Sequence, residues 1–180
     1  MILEQLLTKP SNKILKRLLI LSIIIFAVIY PIMMISFIFS GFPVDFMTSQ
    51  LSFSGDKLKA WYAQTADLNL YTMVQLFDYG FMVSYGLLSF SLALLIGRKY
   101  EENSKWRFSS IIIAIVGILG ALLDASENVC ILITLIDPVN FPDFIATLHS
   151  IFALIKYICL ISAIIWALIA GIYYLIKKRS

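Results

Sequence analysis

The sequence predicts an all-α protein, a four-helix transmembrane bundle with both termini cytoplasmic and a short interfacial helix between the first and second spans. Three observations predict it. Of the 180 residues, 61% are apolar and only 14% charged, where soluble domains carry about a quarter charged residues, and the mean hydropathy is +0.92. Four apolar stretches are each long enough to cross about 30 Å of hydrocarbon. The basic residues collect on one side of those stretches. Together these exclude a soluble enzyme. A net charge of +3 with no basic face also excludes nucleic acid as a partner. Residues 1–180 read as a single integral membrane domain whose first partner is the lipid bilayer.

The first span, residues 18–39, follows Lys9, Lys13, Lys16 and Arg17. Its apolar run is too long for a signal peptide and no small-residue cleavage site follows, so it is expected to stay as an anchor. Pro31 removes one backbone donor within it and predicts a kink. The other spans are residues 70–96, 108–136 and 144–176, joined by loops of about ten residues that make them antiparallel neighbours. The first connection is longer. After Gly41 and Pro43, Ser54 reads as an N-cap ahead of Leu58, Trp61 and Tyr62, which share one helical face. Trp and Tyr favour the headgroup level, so this segment reads as an interfacial anchor, with a lid as the other reading.

Orientation follows from Lys and Arg. Eleven of the fourteen lie in the N-terminal segment, in the loop between spans two and three (Arg98, Lys99, Lys105, Arg107), or in the tail (Lys177, Lys178, Arg179). That excess places both termini and the middle loop in the cytoplasm. Small residues at four-residue spacing, Gly117 and Ala121 in span three and Ala163, Ala167 and Gly171 in span four, predict close helix packing. Cys130 and Cys159 lack any metal or redox spacing. Their predicted depths, about 9 and 23 Å from the outer end of each span, are too different for a disulfide.

Five ionisable side chains lie within the spans: Asp78, Asp124, Glu127, His149 and Lys156. An Asp or Lys at the centre of a membrane helix costs about 2.5 to 3.5 kcal/mol on the most lenient scale. At about 1.5 Å of rise per residue all five lie about 8 to 18 Å from the outer end of their spans, in one layer. Helical spacing puts Gln75 and Asp78 on one stripe, with Tyr79 and Tyr85 at its margins, Asp124 and Asn128 on another with Glu127 at its edge, and His149 and Lys156 on a third. The residues expected to hold a ligand or proton are therefore Gln75, Asp78, Tyr85, Asp124, Glu127, Asn128, His149 and Lys156. Matching depth pairs Lys156 with Asp124, and three carboxyls against one ammonium predict that at least one carboxyl holds a proton.

Several functions fit such a pocket, expected to be built from spans two, three and four and to open outward. It can bind a small or lipid-like ligand, or pass protons or a solute. It can serve an intramembrane lipid-modifying enzyme of isomerase-like chemistry, with Asp124, Glu127 or Asp78 as candidate catalytic acid or base. It can also be structural glue between helices. No span has the Gly/Pro interruption expected of transport helices, and four spans make a small transporter unless a homodimer forms. One His and no recognised ligand spacing argue against a metal, and no cofactor is expected. His149 and Ser150 are adjacent and so point apart, forming no nucleophilic triad.

The segment Asp-Ala-Ser-Glu-Asn, Asp124 to Asn128, with an acid in the preceding span and a Lys in the last, resembles the D-x-x-E-N pattern of small uncharacterised four-span membrane proteins. That resemblance spans Leu51 to Lys156 and implies no activity. The order of spans, the stretch Leu58 to Ala63 and Asp78 are also similar to the four-helix fold of the sigma-2 receptor and emopamil-binding protein family. That likeness implies an intramembrane cavity that binds or isomerises sterols. This chain departs from the family in having no acid in the first span and its strongest acidic pair in the third, so no isomerase active site is carried over.

Overall fold

The computed structural model describes residues 5–179, and helices are the only regular structure among them. Four helices are long and apolar enough to cross a membrane: α1 (Asn12–Ser40), α4 (Leu68–Gly97), α5 (Lys105–Ile136) and α6 (Asp143–Arg179). Two short helices lie between the first two, α2 (Phe46–Gln50) and α3 (Gly55–Gln64). Such a set fits a multi-pass membrane protein.

Local chemistry sets the helix starts. Ser11, Asp45, Ser54, Asp67 and Ser104 each accept a hydrogen bond from a backbone N–H in the first turn of the helix that follows, which satisfies a donor the helix itself leaves orphaned. The N-cap expected at Ser54 is among them. α1 runs unbroken through Pro31 and ends at Gly41, whose φ of 66° is the left-handed conformation that glycine adopts without strain. A Cβ there would also lie 2.9 Å from that of Ala66, so this turn has room for nothing larger.

The long helices are not arranged as a closed square. α4, α5 and α6 pack against one another, α1 packs along α4, and α1 and α6 do not pack along each other. α1 accordingly buries least of the four. Gly117 and Gly86 let α4 and α5 approach closely, against Ser89 and Ala121 respectively, and Gly120 does the same for α5 against Cys159 of α6. Gly171, expected in the packing stripe of the last span, meets nothing within 4 Å. The stripe fails there because the buried face has drifted to Ala170, which is fully buried.

Two apolar clusters close the ends of the core. One joins Leu15, Ala93, Leu94, Ile111 and Ala114. The other joins Phe42, Leu58 and Tyr62 to Tyr71, Ile131, Phe141 and Ala146. In the second cluster α3 lays its apolar face on the ends of the long helices. Tyr62, expected at the headgroup level, is 2% exposed and hydrogen bonds with Thr134 of α5 at 2.8 Å. Burial pushes its phenol up to about 12. Lys59 fixes the same helix to the start of α6, with Nζ 2.7 Å from Asp143 Oδ1. α3 is therefore tied down as a cap on the bundle.

Candidate functional site

Between the two apolar clusters lies a layer of buried polar side chains from α4, α5 and α6. Lys156 is its hub. Its Nζ lies 2.6 Å from Asp124 Oδ1 and 2.5 Å from Glu127 Oε2, so one ammonium bridges both carboxylates of α5. Matching depth points to Asp124 alone; the three-residue offset that makes Asp124 and Glu127 neighbours on α5 also lets the flexible Lys156 stem reach both. Asp124 also accepts from the hydroxyl of Tyr85 at 2.8 Å. Behind it, Glu127 Oε1 lies 3.4 Å from His149 Nε2. Asn128 donates through Nδ2 to Asp78 Oδ2 at 2.8 Å and to the carbonyl of Gln75 at 3.2 Å. The eight residues expected to hold a ligand or proton thus do gather, all of them buried.

They do not share one surface. A cavity of about 350 Å³ occupies the space between α1 and α6, over α4, with α2 at one end. Asp78, Tyr85, Asp124 and Lys156 reach its lining, whereas Gln75, Glu127, Asn128 and His149 do not. The second group lies deeper in the α4–α5–α6 core. Glu127 and Asn128 are fully buried and His149 is 2% exposed, with Gln75 Nε2, Asn128 Oδ1 and His149 Nδ1 left without a protein partner. Lys156 links the two groups, since it touches Asp124 on the cavity side and Glu127 on the far side.

The pocket expected from three spans has five helices around it. α1 contributes Tyr30, Met33 and Met34, and α2 contributes Phe46, Met47 and Gln50. The membrane-spanning part of α1, residues 18–39, carries no charge that would mark it as part of a polar site. Its signal was weaker: Tyr30, Met33, Met34 and Phe37 fall at three- and four-residue spacing, one face of a helix. Gln50 was hidden in an irregular connection. Its Oε1 accepts from the hydroxyl of Tyr157 at 2.5 Å, which joins α2 to α6 across one end of the cavity. Tyr157 in turn stands 5.3 Å from the Lys156 ammonium at its ring centroid, within cation–π range.

The chemistry of the lining is divided. Its floor offers the carboxyls of Asp78 and Asp124, one ammonium and a phenol, Asp45 and Gln50 add a third carboxyl and an amide at the α2 end, and its walls are mainly aromatic and thioether side chains. Lys156 meets Asp124 and Glu127, whereas the only hydrogen bond Asp78 receives within the described residues is from the neutral amide of Asn128. A carboxyl so placed can accept or give a proton to a molecule in the cavity. Cys130 and Cys159 are both free and buried. No protein-family model, curated protein or solved structure matches this chain.

Proposed function

We propose that this chain is a membrane protein that binds a lipid-like ligand in the cavity between α1 and α6. The ligand's polar group meets Asp78, Asp124, Lys156 and Tyr85, and its apolar body lies along Tyr30, Met33, Met34, Phe81 and Leu160. One observation carries this reading: charged groups that are expensive in hydrocarbon border an apolar-walled space instead of being wholly sealed in protein. Because α1 and α6 do not pack along each other, the natural approach is sideways, from the bilayer. Both termini lie on the cytoplasmic side in this reading, by the excess of Lys and Arg at that end, and α2 and α3 sit at the outer interface.

A second reading is favoured by Asp78 alone. Its neutral partner leaves it suited to general acid or base work on a bound lipid, with Lys156 steadying negative charge as it develops. Glu127, a candidate for that role by sequence, stands behind Lys156 and off the cavity lining.

The test is lipid analysis of protein purified in mild detergent. One lipid should be enriched over the bulk extract, and Leu160→Trp, which fills the cavity, should abolish the enrichment. No enrichment, or equal enrichment in the filled variant, would refute ligand binding. If the retained lipid changes chemically on incubation with the natural chain but not with Asp78→Asn, the enzyme reading replaces simple binding.

A further inference from the structure

At the far end of the bundle from α2 and α3, the turn joining α4 to α5 and the last turns of α6 enclose a second cavity of about 430 Å³. Lys99, Lys177 and Lys178 line it, with Asn103, Ser104 and Tyr174 between them. One carboxylate, Glu101, shares the lining, and it lies 3.4 Å from Lys177 Nζ. Neighbouring arginines are otherwise engaged. Arg98 donates to the carbonyls of Pro10 and Leu6 and to Asn12 Oδ1 at the start of α1, and Arg107 lies 3.8 Å from Glu102. Among the described residues, Lys99 and Lys178 have no carboxylate within 4.0 Å. Among the described residues three ammonium groups thus face a cavity with one carboxylate, and the surplus calls for an anion.

Two features beside the cavity say which anion. Tyr100, Trp106 and Tyr173 form a stack, with ring centroids 5.8 and 5.5 Å apart in succession, and such residues collect where a membrane protein meets the headgroups. On α6, Ile169 and Tyr173 are 53% and 47% exposed, and they precede Lys177 by eight and four residues, so this apolar stripe leads to that ammonium. A cationic cavity continuous with a bare apolar helix face matches a molecule that has a negative head and hydrocarbon tails. We infer that this cavity binds the phosphate of an anionic phospholipid, with Lys99, Lys177 and Lys178 as its charge partners and the acyl chains along α6.

The full chain is placed in phosphatidylcholine nanodiscs carrying phosphatidylglycerol as the minority lipid, and the lipid it retains after gentle release is counted by native mass spectrometry. Phosphatidylglycerol should be enriched over its bulk share. Replacing Lys99, Lys177 and Lys178 together with Gln should cut its affinity on the order of a hundredfold, at about fivefold for each basic side chain near an anionic surface. The corresponding triple Arg variant should retain it, which separates loss of charge from loss of fold. Neutralising Lys13, Lys16 and Arg17 should leave most of the enrichment in place. Equal loss in the two neutralised triples would reduce the effect to general surface charge and overturn the site. Full displacement by inorganic phosphate would assign a soluble anion and overturn the lipid. Absence of enrichment would overturn both.

Discussion

Lys156→Met should destabilise the bundle more than either Asp124→Asn or Glu127→Gln. The reason is the bridge. Lys156 is 4% exposed, and the two carboxylates that it touches are 3% and 0% exposed, with contacts of 2.6 and 2.5 Å. Removing one partner of a buried ion pair costs about 3 to 5 kcal/mol, and here a single change strands two carboxyl groups. Asp124→Asn leaves Lys156 on Glu127 and keeps an acceptor for Tyr85, so its loss should be nearer the about 1 to 3 kcal/mol of one missing buried hydrogen-bond partner. Adding both Asp124→Asn and Glu127→Gln to Lys156→Met replaces stranded charges with neutral amides. That triple variant should be more stable than Lys156→Met alone, with a coupling of about 1 to 3 kcal/mol. Reversible unfolding by SDS in mixed micelles, followed through the Trp fluorescence of the three tryptophans, measures each step. Strictly additive losses, or a Lys156→Met variant as stable as the natural chain, would refute the shared-ammonium account.

Three further outcomes follow from other parts of the molecule. Tyr62→Phe removes the hydroxyl that meets Thr134 and should lower stability by about 1 kcal/mol, whereas Tyr62→Ala empties the cap and should lower it by about 3 to 5 kcal/mol; an inert Tyr62→Ala would show that α3 does not hold the bundle end. Bonds from Thr48 hold the Asp45 carboxyl below its usual 3.8. Its support for α2 is therefore complete above the unfolded-state value and is lost as pH falls through the lower folded value. Amide exchange at Thr48, corrected for intrinsic rate, should speed up only in that acid range and become pH-independent in Asp45→Asn. Gly117→Ala would put a Cβ 2.5 Å from that of Ser89 and should cost about 1 to 3 kcal/mol, while Gly171→Ala, with nothing within 4 Å, should stabilise by up to about 1 kcal/mol. Thermal unfolding of the two variants should move in opposite directions.

The long helices and the polar layer were legible in the sequence because both rest on strong physics. Hydrocarbon demands uninterrupted apolar runs, and a charge placed in such a run must find partners. Helical spacing then brought Asp78, Asp124 and Lys156 to one layer with no reference to tertiary contacts. What spacing could not deliver was which side of each stripe meets empty space. Glu127 and Asp124 are three residues apart and look equivalent on a helical projection, yet Asp124 borders the cavity and Glu127 is sealed against His149. The part played by α1 was illegible for a related reason. Tyr30 and Met33 are uncharged residues in an otherwise apolar run, and only the placement of α1 on α4 turns them into a wall. Gln50 and Tyr157 lie 107 residues apart, and no local pattern announces such a bond.

The lopsided arrangement of the bundle divides labour between its helices. The buried charged groups are positioned by α4, α5 and α6, which hold one another, while α1 leans on α4 and contributes only uncharged side chains to the cavity. In the proposed ligand-binding role, the girth and the head-group chemistry of the molecule accepted are thereby set by different parts of the chain. Substitutions at Tyr30, Met33 and Met34 can widen, narrow or reshape the space without disturbing a single ion pair, so the size of molecule accepted can be retuned in steps, through evolution or by design, against a fixed pattern of charge.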